Sequence, residues 1–192
     1  MCLDECKAKD YLSSKWLNLK DIYKDRLEEH GYMYYDFHMA LVLSKCGSEE
    51  EKLKYFKSLE NFLNSNDNME DATDNQDNYG ILRKKKHKNI VENTLLGINR
   101  EIANEVLNSV FYFNQGEFEK AVDLLYPIRY HYFKMGGSNA QRDIIDQILV
   151  HAALRSGLPE YKRIGNTLLN QRLALVPTSD LSKRIASRLL IS

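Results

Sequence analysis

The chain has 192 residues, room for one domain of ordinary size with a real core. Its 27 basic and 27 acidic side chains cancel, so net charge gives no pull toward nucleic acid or membrane, and neither is expected as a partner. No apolar run approaches the roughly 20 residues of a bilayer span, and three cysteines are too few for a disulfide framework. The start, Met1-Cys2-Leu3-Asp4-Glu5-Cys6, lacks the basic and apolar regions of a signal peptide. The expected compartment is therefore the cytoplasm. Cys2 and Cys6 lack the second pair that would complete a tetrahedral metal site. With only three prolines and abundant Leu, Lys, Asn and Glu, the composition favours helices over a turn-rich β fold.

In chain order, the first predicted helix covers 13–29, with Trp16, Leu19, Tyr23 and Leu27 along one stripe and Gly31 placed to stop it. A second covers 33–46, with Phe37, Ala40, Leu41 and Ser44 inward and Gly47 as terminator. Ser48-Glu49-Glu50-Glu51 has the spacing of a capping box, and its acidic residues suit the positive end of a helix dipole. Leu53, Phe56, Leu59 and Leu63 are expected to carry the apolar face of this third helix.

From Asn64 to Asn78 the chain is mostly Asn and Asp, with little to bury. Such a stretch cannot offset its ordering entropy, and 64–88 is read as a disordered loop interrupting a single domain over 1–192. The loop ends in the basic run Arg83-Lys84-Lys85-Lys86-His87-Lys88. No basic helix face continues that run, so it reads as a solvated loop flank rather than a nucleic-acid patch.

Helical periodicity resumes with Ile102, Val106, Val110 and Phe113, closed by Gly116. The next helix starts at Glu117, with Phe118, Ala121, Leu125, Ile128 and Tyr132 inward, and Pro127 is expected to kink it. The cluster Tyr126, Tyr130, His131, Tyr132 and Phe133 lies around the kink. Gly136 and Gly137 then allow a left-handed turn, and Ser138 stands three residues before Gln141, a second capping box. Ile144, Ile145, Ile148, Leu149, Ala152 and Ala153 form the apolar face of the helix that follows, which ends near Gly157. Pro159 fits the first turn of a partner helix bearing Ile164, Leu168, Leu169 and Leu173, which stops at Pro177. Ser179 caps a last short helix with Leu181, Ile185 and Leu189 on one side.

The terminators are periodic. Gly47 and Gly116 are 69 positions apart, 44 without the 25-residue loop, and Gly116 and Gly157 are 41 apart. A repeated helix–turn–helix unit of that length must stack on neighbours to bury its face. Gly116-Glu117-Phe118-Glu119-Lys120-Ala121 resembles the inter-helix turn of a tetratricopeptide repeat, and Leu173-Ala174-Leu175-Val176-Pro177 resembles the end of one. Longer words resemble the tetratricopeptide repeat protein 38 family. They are Trp16 to Gly47 with Gly31-Tyr32 and Asp36-Phe37-His38, Gly116 to Arg129, Gly136 to Asp143, and Gln171 to Pro177. The resemblance covers nearly all of the chain except its ends and the 64–88 loop, and matches the C-terminal part of a longer family pattern. It implies an all-α superhelix of tetratricopeptide-like hairpins, an α-solenoid, and brings no reaction, cofactor or catalytic residue. With upstream repeats absent, an apolar N-terminal face needs cover from the 13–29 helix or from a second copy.

The leading functional expectation is a non-enzymatic scaffold of about three hairpins whose concave face docks a protein or peptide, without cofactor or metal. Candidate partner contacts are Tyr130, His131, Asn139 and Arg142, since aromatic and Arg side chains are favoured anchors and a guanidinium can clamp a carboxylate. The alternative, a small-molecule binder or enzyme, would need Asp36, His38, Arg142 and Asp143 to converge. Asp36 and His38 are two apart on a helix and point about 200° from each other, which favours a structural polar contact for one of them. Arg142 and Asp146 have i,i+4 spacing for a surface ion pair, and Asp143 suits a helix N-terminus. The histidines include no His-Glu-x-x-His word, and no phosphate-binding loop or nucleophile elbow is present. Cys46, at the negative end of a helix, is poorly placed to be an activated thiolate.

Overall fold

The computed structural model describes residues 3–30, 32–65 and 102–189, and among them every regular element is helical. The helices are α1 (Leu3–Tyr23), α2 (Met33–Cys46), α3 (Glu49–Ser65), α4 (102–115), α5 (Phe118–Ile128), α6 (Asn139–Arg155), α7 (Pro159–Leu175) and α8 (Asp180–Leu189). Neighbours in sequence pack as neighbours in space: α1 on α2, α2 on α3, α5 on α6, α6 on α7 and α7 on α8. No described helix is long and apolar enough to cross a membrane. Most of the expected loop, including the basic run, lies outside the described residues; α3 enters its first two positions.

The turns are set by local chemistry. After α4, Gly116 takes φ 85°, its N–H donates to Phe113 O (3.3 Å), and the Glu117 N–H reaches back to Tyr112 O (2.9 Å). This is a Schellman closure, which satisfies carbonyls that the helix leaves unpaired and favours a residue without Cβ. Both predicted capping boxes form. Glu51 N–H donates to Ser48 Oγ (3.2 Å) and Ser48 N–H to Glu51 Oε2 (2.7 Å); the Ser138/Gln141 pair makes the same two bonds at 3.2 and 2.9 Å. Lys20 of α1 reaches the first box: its ammonium lies 2.7 Å from Glu51 Oε2 and donates to Cys46 O, the last carbonyl of α2. One cation thus neutralises the negative end of α2 and the acidic start of α3.

The main core runs through α2, α3, α4, α5 and α6. α2 is buried almost all round, by Met33, Tyr34, Phe37, Met39, Ala40, Val42 and Leu43. It is the central helix of that core rather than one with a single inward stripe. α4 contributes Ile102, Ala103, Val106, Leu107, Val110 and Phe111 at steps of one and three, and Asn114 Nδ2 donates to Ser44 Oγ of α2 (2.8 Å). A smaller cluster of Val150, Leu169 and Ile185 joins α6, α7 and α8.

Several expectations are corrected. α1 begins at least ten residues earlier than predicted and stops at Tyr23, with a 3-10 turn over Lys24–Arg26. Leu53 is exposed, and the buried face of α3 is carried by Tyr55 and Leu59. The Leu63 side chain lies outside the described residues. Pro127 does not kink a helix that continues to Tyr132. α5 ends one residue after it, where the Arg129 N–H turns to Tyr126 O (3.5 Å), and Tyr132 belongs to a separate 3-10 turn over Tyr132–Met135. Ile144 faces outward, and α6 closes on Ser156, not on Gly157.

Candidate functional site

That early end of α5 builds one wall of a groove. Where the helix stops, Arg129 folds back: Nη1 donates to Tyr126 O (2.6 Å) and the guanidinium stacks over the rings of Tyr126 and Tyr130 (3.9 and 4.3 Å to the centroids). Tyr132 is buried and donates to Leu125 O, pinning the 3-10 turn to α5. Tyr130 is thereby left outward, 66 % exposed. Gly136 and Gly137, at φ 74° and 67°, then reverse the chain into α6. The space between this turn, the first half of α6, the end of α7 and the start of α8 is about 800 Å³.

Arg142 projects from the first turn of α6 but does not pair with Asp146 as its spacing predicts. Its Nη1 donates to Gly136 O (2.6 Å) and Gly137 O (2.8 Å), and its Nη2 to Asn139 Oδ1 (2.5 Å). The double-glycine turn presents two carbonyls to one guanidinium nitrogen, while the second nitrogen reaches Asn139. Arg142 is held rigidly while no carboxylate among the described residues forms an ion pair with it.

Asp143 does more than favour a helix dipole. Its Oδ1 lies 2.6 Å from Arg172 Nη1 of α7, and its Oδ2 accepts from Gln147 Nε2 (2.6 Å). Burial alone would raise this carboxyl, but the hydrogen bonds from Arg172 and Gln147 outweigh it and hold the pKa below the ordinary value. Asp146, one helical turn deeper, makes no hydrogen bond to a described residue; burial pushes its pKa up to about 6, with Arg172 opposing and Asp143 adding to the shift. Leu168, Leu175 and Val176 supply apolar surface along the groove, and the Ser182 hydroxyl is buried without a partner.

Of the residues singled out in the sequence, Tyr130, Asn139, Arg142 and Asp143 line this groove. His131 is exposed beside Tyr130 and is not part of the lining. Asp36 and His38 lie on α2, engaged elsewhere. His38 is half-buried, its pKa lowered by that burial, with its ring beside Phe37. No hydrogen bond or ion pair among the described residues joins Asp36 or His38 to Arg142 or Asp143, and of the four only Arg142 and Asp143 line the groove.

Asp36 has a role that sequence reading missed. Its Oδ1 lies 2.7 Å from His30 Nδ1, His30 Nε2 lies 2.6 Å from Ser58 Oγ, and the buried Tyr55 hydroxyl donates to Asp36 O (3.1 Å). Acid, imidazole and hydroxyl stand in the order of an acyl-transfer relay. Its setting is a packed one. The His30 and Asp36 side chains are 2 % and 8 % exposed, Ser58 Oγ also bonds its own helix at Tyr55 O (3.1 Å), and the groove does not reach it. The contact ties His30 and Asp36 to α3.

Among the described residues, no three His, Cys, Asp or Glu side chains are arranged to hold a metal ion. Cys46 is free, donates to Trp16 O and Val42 O, and has its thiol pKa raised by burial. No family model matches the chain, and no solved structure matches it.

Proposed function

We propose that the protein is a non-enzymatic docking module: a short stack of tetratricopeptide-like hairpins, related to the tetratricopeptide repeat protein 38 family, that holds a segment of a protein partner. The observation that carries this reading is the groove beside the Gly136-Gly137 turn. It combines an apolar rim, with Tyr130 66 % and Leu175 82 % exposed, and a fixed guanidinium, Arg142, with no carboxylate partner among the described residues. Large exposed side chains around convergent polar groups are the usual make-up of a recognition surface. The sequential packing from α5 to α8 and the Schellman turn at Gly116 support the hairpin-stack reading.

Photo-crosslinking tests the site. A photoreactive residue in place of Leu175 should capture another polypeptide in cells, whereas one at Leu53, also exposed but on α3, should not. Equal capture at both positions, or none at Leu175, would remove the groove from consideration. A second reading rests on α1, where Tyr11 and Ile22 fall on one side of the helix and are 62 % and 67 % exposed: that side joins two copies. It predicts a mass that rises with concentration in sedimentation, and a constant monomer mass would dispose of it.

A further inference from the structure

We infer that the segment held in the groove is acidic, with side-chain carboxylates that meet Arg142 and Arg129 while an apolar side chain packs against Leu175 and Val176. The inference rests on the docking reading above and adds the chemistry of the occupant.

Charge complementarity selects the occupant. Three guanidinium groups, Arg129, Arg142 and Arg172, line the groove against two carboxyls, Asp143 and Asp146. Arg172 and Asp143 form an ion pair and cancel. Arg129 is stacked on two tyrosine rings and Arg142 is bonded to two carbonyls and an amide, so both keep their full charge. Carbonyl and ring contacts orient a guanidinium without neutralising it, and preordering lowers the entropy cost of a charged hydrogen bond to a ligand. Asp146 is the one opposing charge left among the lining residues, set against two arginines. A basic segment would face two unneutralised arginines, which excludes it.

A fluorescein-labelled peptide of alternating glutamate and leucine is the probe, with its glutamine and lysine counterparts as controls, read by fluorescence anisotropy against the full chain. The glutamate peptide should bind at least about tenfold more tightly than the glutamine one and should weaken as salt is raised. Arg142→Gln should weaken it by about tenfold, and Asp146→Asn should strengthen it by roughly threefold. Opposite effects from two positions in one groove cannot come from misfolding. Equal binding of glutamate and glutamine peptides, binding indifferent to both substitutions, or stronger binding of the lysine peptide would overturn the inference. So would no binding at all. The docking reading would stand or fall separately, on capture at Leu175.

Discussion

Gly137 lies so close to Tyr34 that a Cβ at position 137 would stand 2.7 Å from Tyr34 Cδ2 and nearer still to Cε2. The turn that opens α6 is thus seated on the central helix, α2, and only a residue without a side chain fits there. Gly136 has open space around it, and its constraint is the backbone: φ 74° and ψ −144° is a conformation essentially reserved for glycine. Gly136→Ala should therefore cost about 1–3 kcal/mol of strain. Gly137→Ala should cost more, by about a further 1–3 kcal/mol, because the Tyr34 ring is fully buried and cannot swing away. Thermal melts of the two variants measure the difference, and equal losses would show that the ring yields.

Tyr34 and Tyr55 are equally buried, and their hydroxyls differ. Tyr55 donates to Asp36 O, while the Tyr34 hydroxyl has no hydrogen-bond partner among the described residues and burial pushes its pKa up to about 12. Removing a satisfied hydroxyl loses a bond, and removing an unsatisfied one relieves a desolvation penalty. Tyr55→Phe should destabilise by about 1 kcal/mol and Tyr34→Phe should stabilise by a similar amount. Urea denaturation reads both signs, and a shared sign would refute the hydrogen-bond assignment.

The His30–Asp36 contact is sealed from water, so breaking it from one side leaves a group buried without its partner. His30→Ala should cost about 3–5 kcal/mol, and so should Asp36→Ala, which also strands the His30 ring. The double variant should cost far less than the sum, since neither group is then left alone. Additive losses in a double-mutant cycle would mean the two side chains are not coupled.

What the sequence made legible was whatever a few neighbouring residues decide. Ser138 and Gln141 form their box because three-residue spacing brings them together on any helix start, and Gly116 and Gly136-Gly137 turn left-handed because little else can. The groove was half legible: Tyr130, Asn139 and Arg142 were named, but not Arg172, which reaches Asp143 from another helix. His30 meets Ser58 across 28 positions, a distance no periodicity records. Tyr55 stands outside the Leu53–Phe56–Leu59 stripe, and the acceptor for its hydroxyl lies 19 positions away on α2. Arg142 was misread because its i,i+4 carboxylate was weighed without the carbonyls that a double glycine exposes.

Asp146 sets the pH response of the groove. Its carboxyl is held at about 6 against an ordinary 3.8, chiefly by burial; Arg172 from α7 favours the charged form and Asp143 on the same helix disfavours it. Burial raises the phenols of Tyr132 and Tyr34, Asp146 adds to the shift, and both stay neutral throughout. Between those two pH values the folded protein keeps a proton that the unfolded chain has released. The resulting stability is complete below about pH 3.8 and is lost as pH rises through 6, a cost on the order of 2–3 kcal/mol at neutral pH. Asp146→Asn keeps the shape and removes the titration. The variant should melt higher than the wild type at pH 7.5, and the gap should close toward pH 4. A gap of the same size at both pH values would show that the gain comes from packing, with the carboxyl ionised at no penalty.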